Sequence, residues 1–163
     1  SHREADIVIA IDRPKSGPYI ITRLSNYCLK LYGSQHYLQQ NPEIKKLEDL
    51  QQHRFVDYID DLVYSTALYS LERLPLQVSA CFRSNSILAQ EIAVRAGAGL
   101  AILPKFLVND KSELKEVLGD QVSFTHTFWM LTLVDLQHEP KIKLVWDFLR
   151  KQADLQQDLL MGR

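Results

Sequence analysis

The chain has 163 residues, 46% hydrophobic and 24% charged, with a formal net charge of −1. This is the composition of a globular chain long enough to build a core, and it argues against a module that grips nucleic acid through a basic surface of its own. No apolar run approaches the ~18 residues that span a membrane, and the opening SHREADIVIAI has neither the basic start nor the small-residue cleavage site of a secretory leader.

Two cysteines, Cys28 and Cys81, stand far apart in apolar settings. A reduced, cytoplasmic protein is the simplest expectation. Cys81 reads as a small core residue on a buried strand rather than a nucleophile.

Residues 5–11, ADIVIAI, form a continuous β-branched run. Such a run predicts a central strand covered on both faces, and a chain opening on one suggests further structure N-terminal to it. Asp12, Arg13 and Pro14 end the strand, and Gly17–Pro18 turns the chain. Residues 20–32 suit two short strands around Ser25 and Asn26. Gly33 and Ser34 then open a short helix that Asn41 and Pro42 close. Residues 45–50 read as one exposed helical turn.

Residues 54–59 are a further strand candidate. The acidic pair Asp60–Asp61 after it could serve acid–base or metal chemistry, but it lacks a third ligand nearby, so a turn and helix cap is the better reading. Leu68, Leu71 and Leu74 predict a helix over 62–74.

Residues 78–104, VSACFRSNSILAQEIAVRAGAGLAILP, carry the most information. Val78, Ala80 and Phe82 alternate as in a strand. Ser84, Asn85 and Ser86 are all helix N-cap types. Leu88, Ile92 and Ala96 then fall on one helical face, with Ala89 and Ala93 beside them. Gly97 stands where a left-handed residue ends a helix. A short apolar strand runs to Pro104.

This order predicts a βαβ unit with parallel strands and a right-handed crossover. The 84–86 turn then lies at the carboxyl end of a strand and the amino end of a helix, where open α/β sheets bind ligands and where an anion is favoured. Capping alone also accounts for Ser and Asn at those positions.

Beyond Pro104, SELKEVL (112–118) reads as a short amphipathic helix capped by Ser112, and 128–133 as a strand buried on both faces. The longest helix is expected over 141–160, its apolar stripe formed by Val145, Leu149 and Ala153 with Trp146 and Phe148. His2, His36, His53, His126 and His138 are scattered without metal-ligand spacing. No nucleotide-loop, nucleophile-elbow or zincin motif occurs. The lack of a chemical constellation favours a binding domain over an enzyme and calls for no cofactor.

Several segments, taken in order, resemble the effector-binding domain of LysR-type transcriptional regulators. They are ADIVIAI with Arg13–Pro14, LYGSQHYL with Leu47, Asp49, Leu50 and His53, FVDYIDDL, RSNSILAQEIAVRAGAGLAILP and the closing VWDFL. The resemblance covers nearly the whole chain. It implies an α/β, two-lobed fold like that of type 2 periplasmic binding proteins, with the first lobe incomplete. Lobe one would comprise residues 1–53 and 134–163, and lobe two residues 54–133.

It also implies a small, anionic effector held in a cleft between lobes, a dimer or tetramer, and DNA contact only through a winged helix-turn-helix outside this chain. By the family pattern the effector site takes Ser84, Asn85 and Ser86. Arg13 would be a bidentate carboxylate donor or else a hinge ion-pair partner. Pro104 and Phe106 would form an apolar wall. A solute-binding receptor of the same fold is the alternative. Self-association is expected, because a bare apolar strand edge invites pairing.

Overall fold

The structure, a computed structural model, describes residues 5–60, 65, 68, 71–108 and 113–163. The chain forms two compact units, residues 1–27 with 125–163, and residues 28–124. The expected lobe limits, 53/54 and 133/134, stand elsewhere than these divisions. Residues 29–34 are hydrogen-bonded to strands later in the second unit, which ties them to it.

In the first unit, β1 (Ile7–Ala10) pairs antiparallel with β7 (Ser123–Leu133), from Ile7 opposite Thr132 to Ala10 opposite Trp129. β7 is in turn hydrogen-bonded to β2 (Tyr19–Ser34). Among the described strands β1 is therefore an edge, with Val8 46% and Ile9 50% exposed. This corrects the expected central strand: an apolar β-branched run specifies extended backbone, but not how many neighbours flank it.

β2 is one strand of 16 residues, not two. The Tyr27 ring stacks on Phe128 at 4.2 Å, and the Thr127 hydroxyl donates to Asn26 Oδ1 at 2.8 Å. These cross-strand contacts hold β2 extended through the Ser25–Asn26 step.

The final helix is α3 (Pro140–Leu155), broken at Gln156 and resumed as α4 (Gln157–Met161). Pro140 at its first turn loses no hydrogen bond there. Ile142 and Ala153 are buried, and Trp146 and Leu149 half-buried. Val145 and Phe148, expected in the buried stripe, are exposed.

In the second unit, β2 continues along Leu29–Tyr32 against β5 (Ala101–Pro104) and along Leu31–Ser34 against β6 (Leu114–Val117), both antiparallel. β6 replaces the helix expected over 112–118; Ser112 lies outside the described residues. Its Leu114 and Val117 are buried and its Lys115 and Glu116 exposed, a spacing of three that a helical turn shares. Ladder bonds from β2 decide for the strand. The expected 62–74 helix falls largely outside the described residues; within them stands a 3-10 turn, Leu71–Arg73, with Leu71 and Leu74 buried.

Helix α1 (Gln35–Gln40) begins as expected, Ser34 Oγ accepting from the Tyr37 amide at 3.2 Å. The Tyr37 ring is buried. Its hydroxyl lies 3.1 Å from His53 Nδ1 and accepts from the Arg54 amide at 3.1 Å. Burial pushes His53 below its ordinary value, against the opposing pull of the Pro42 carbonyl and Asp49.

The short strand β3 (Phe55–Asp57) runs parallel to β4 (Ala80–Arg83). On its other side Phe55 bridges Leu100, with Val56 N donating to Leu100 O and Leu100 N to Arg54 O, each at 2.8 Å. β3 thus stands between β4 and the entry to β5, parallel to both, as the expected parallel strands of the βαβ unit require.

Helix α2 (Ile87–Arg95) joins them. Gly97, at φ +82°, ends it as expected. Its buried face is not the expected one: Leu88 is 58% and Ile92 62% exposed, while Gln90, Glu91 and Val94 are buried. Val94 enters a core with Tyr32, Val56, Ala101 and Leu103. Gln90 and Glu91 bring their own partners, Nε2 of Gln90 donating to Ser84 O at 2.7 Å and Glu91 pairing with Arg95. Cys81 is exposed, against expectation, its thiol 3.3 Å from the Phe55 carbonyl.

Two outcomes test this account. A Cβ on Gly99 would sit 2.4 Å from the Arg54 carbonyl oxygen. Gly99→Ala is therefore expected to lose roughly 1–3 kcal/mol in urea unfolding, as overpacking against backbone does. His53, lower in the folded than in the unfolded chain, leaves the unfolded state binding more protons. Stability is expected to fall as pH drops through about 6.5, and His53→Asn to flatten that fall in thermal melts.

Candidate functional site

The two parallel strands β3 and β4 end side by side, and both feed turns. The Ser84 amide donates to the Asp57 carbonyl at 2.9 Å, so the 84–86 turn stands directly against the end of β3. Asn85 Oδ1 accepts from the Ile59 amide at 3.1 Å. Ser84 Oγ accepts from the Ser86 amide at 3.1 Å, and Ser86 Oγ from the Ala89 amide at 3.3 Å. All three side-chain oxygens are thus occupied as acceptors, the capping role that residue type alone suggests. The serine hydroxyls can still donate, as can first-turn amides of α2 other than Ala89, which Ser86 caps.

Beside the turn lies a cavity of about 610 Å3, lined by the ends of β3 and β4 and the segment before β4. Its polar lining is Asp57, Glu72, Gln77 and Arg83, and its apolar lining includes Leu71, Leu74 and Val78. Arg83 Nη1 pairs with Asp60 Oδ1 at 2.6 Å and donates to the Tyr58 carbonyl at 3.4 Å. Burial pushes the Asp57 carboxyl above the usual carboxylate range. The Tyr58 amide and Arg83 oppose that rise, while Asp60 and Glu72 add to it.

Arg13 belongs to the first unit, exposed, its guanidinium 5.5 Å above the Trp129 ring. That is a cation–π contact rather than an ion pair. Pro104 and Phe106 belong to the second unit. Pro104 is buried at the end of β5 opposite Leu29, and Phe106 is half-buried in the following 3-10 turn. Neither is among the cavity's lining residues, and nor are Ser84, Asn85 and Ser86.

Asp57, Glu72 and Arg83 were not legible as site residues. Asp57 and Arg83 stand 26 positions apart and meet only because β3 and β4 pair. Asp60, read as a turn residue, is the Arg83 partner; Asp61 lies outside the described residues. Among the described residues no group of His, Cys, Asp and Glu is arranged to hold a metal.

The fold and cavity describe an α/β ligand-binding domain. The model of the LysR substrate binding domain matches residues 1–154, and the chain belongs to that family. This is a family of regulatory domains, not of enzymes. No curated protein matches the chain.

Among solved structures, the regulatory domain of CrgA, a LysR-type transcriptional regulator from Neisseria meningitidis, superposes with a TM-score of 0.78 at 19% identity, covering 92% of this chain and 76% of that one. The structure of CrgA from the same organism gives 0.74 at 20% identity over 92% of this chain, but only 53% of its own length. The regulatory domain of Synechocystis CcmR, in complex with 2-PG, gives 0.72 at 18% identity, covering 92% and 74%. At these identities the likeness is one of fold.

The raised Asp57 carboxyl has a consequence for stability. Its folded value lies above its unfolded one, so its contribution is full below about pH 4 and is lost as pH rises through the folded value. Asp57→Asn is expected to remove that decline, leaving the unliganded chain at least as stable as wild type at neutral pH in thermal melts. A marked fall in stability would show instead that Arg83 compensates the charge.

Proposed function

We propose that the chain is the effector-sensing part of a LysR-type transcription regulator, and that it receives the acidic group of a small metabolite at the 84–86 turn. The observation that carries this reading is the position of that turn. It caps α2 and follows β4, whose last residue, Arg83, lines a cavity of about 610 Å3, within the range typical of small-molecule sites. The donors left there suit a carboxylate or phosphate. The ligand in the CcmR regulatory domain supports a liganded state for this fold.

Arg13, Pro104 and Phe106 are kept as proposed effector contacts, Arg13 for its exposed guanidinium. In the full-length regulator the domain would act from the cytoplasm as part of a homo-oligomer, with a winged helix-turn-helix making the DNA contacts. Effector binding would shift the population of regulator conformations. Among the described residues no helix is long and apolar enough to cross a membrane.

A thermal-shift screen of the chain against small organic acids tests the reading. At least one acid is expected to raise the melting temperature. Ser84→Ala is expected to weaken that acid about tenfold, the loss of one charge-assisted hydrogen bond. If no acid shifts the melt, the reading fails. If Ser84→Ala leaves the affinity unchanged, the acidic group sits elsewhere.

A further inference from the structure

Helices α3 and α4 carry apolar residues on two opposite faces, and one of these faces lies in solvent. The inner face is Ile142, Trp146, Leu149 and Ala153, all buried or half-buried. Gln157 continues it, its Oε1 accepting from Ser25 Oγ at 3.0 Å. The outer face repeats that spacing two residues further on, about 200° around the helix: Leu144, Phe148, Lys151, Leu155 and Leu159. Its leucines and its phenylalanine are each more than half exposed. The break at Gln156 does not interrupt the stripe. The Gln156 amide still donates to the Gln152 carbonyl at 2.9 Å, and the Leu160 amide to the Gln156 carbonyl at 3.0 Å. A surface helix ordinarily keeps one apolar stripe and a polar back. A second stripe on the solvent side is an interaction surface.

The pattern of this stripe says what it fits. Its apolar members are separated by four, seven and four residues, so it reads the same in both directions. Laid antiparallel on a second copy, with the two-fold axis passing between Lys151 and Gln152, Leu144 meets Leu159 of that copy and Phe148 meets its Leu155. The charges beside the stripe obey the same axis. Lys143 comes within two residues, about 3 Å of helical rise, of Asp158 on the other copy, and Lys151 as close to Asp154. A parallel pairing would set each of these charges beside its own kind. Every such contact occurs twice in a two-fold interface.

We propose that the outer face of α3 and α4 is a dimerisation surface, on which a second copy of this chain docks antiparallel through Leu144, Phe148, Leu155 and Leu159. This rests on the homo-oligomer of the sensor reading and gives it a surface, and it needs no effector.

Sedimentation equilibrium of the 163-residue chain is expected to show a concentration-dependent dimer. Phe148→Glu and Leu155→Glu are each expected to weaken it at least about a hundredfold, since one substitution acts twice across the axis. Both positions are exposed in the single chain, so the unfolding curves of these variants are expected to stay close to wild type. Lys151→Glu sets carboxylates against Asp154 of the other copy and is expected to weaken the dimer about tenfold. Asp154→Lys added to it exchanges the two charges and is expected to restore the dimer. Circular dichroism checks that helix content is unchanged throughout. Ile9→Lys, on the edge strand β1, is expected to leave the dimer in place.

A chain that stays monomeric at every concentration overturns the proposal and leaves the stripe to a different protein. A dimer that the helix variants leave intact overturns it as well; its loss in Ile9→Lys would then put the contact on β1. An exchanged charge pair that fails to restore the dimer overturns the antiparallel docking. Should the glutamate variants not fold, the series at Lys151 and Asp154 decides alone. The thermal response to small acids is read on the same samples. A response in a chain that stays monomeric leaves effector sensing standing while this surface falls.

Discussion

The second unit depends on one backbone approach, the contact of Gly99 and Leu100 with Arg54 and Val56. Two hydrogen bonds at 2.8 Å join these segments, and a Cβ on Gly99 would sit 2.4 Å from the Arg54 carbonyl. Only a residue without a side chain permits that spacing. Through it β3 is inserted between β4 and the entry to β5. Because β3 and β4 then run parallel, their carboxyl ends fall side by side, and the two turns that follow them meet. The cavity, the Asp57 carboxyl and the 84–86 turn share one edge for that reason.

The same unit shows how polar residues can be buried without penalty. Helix α2 turns Gln90 and Glu91 inward and leaves Leu88 and Ile92 in solvent. Gln90 reaches the Ser84 carbonyl and Glu91 pairs with Arg95 one turn on. A satisfied amide and a paired carboxylate lose little by burial, and Gln90 also fastens the helix to the turn it follows. Packing by Val94 supplies the apolar share of that face. The exposed leucine and isoleucine are therefore the consequence of a hydrogen-bond requirement at the neighbouring turn.

Charge at the cavity follows a related logic. Arg83 is spent on Asp60 and the Tyr58 carbonyl, holding the chain after β3 against the end of β4. That structural bond leaves Asp57 with weak compensation, and burial then raises its carboxyl.

Local chemistry determined much of this protein in advance: the cap at Ser86, the glycine stop at Gly97, the start of α1 at Ser34, the strand character of 5–11 and 128–133, and the ordered segments that mark the family. Each depends on a few adjacent residues whose conformational preferences do not need distant partners. Tertiary structure alone decided the rest. Residues 114–117 became a strand because β2 offered ladder bonds, and a spacing of three buried positions fits either state. β1 became an edge and α2 turned its polar face inward through contacts with segments far away in the chain. The meeting of Asp57 with Arg83 and Ser84 belongs to this second class: a charge constellation across two parallel strands has no spacing in the chain that could announce it, since only their pairing and register bring it together.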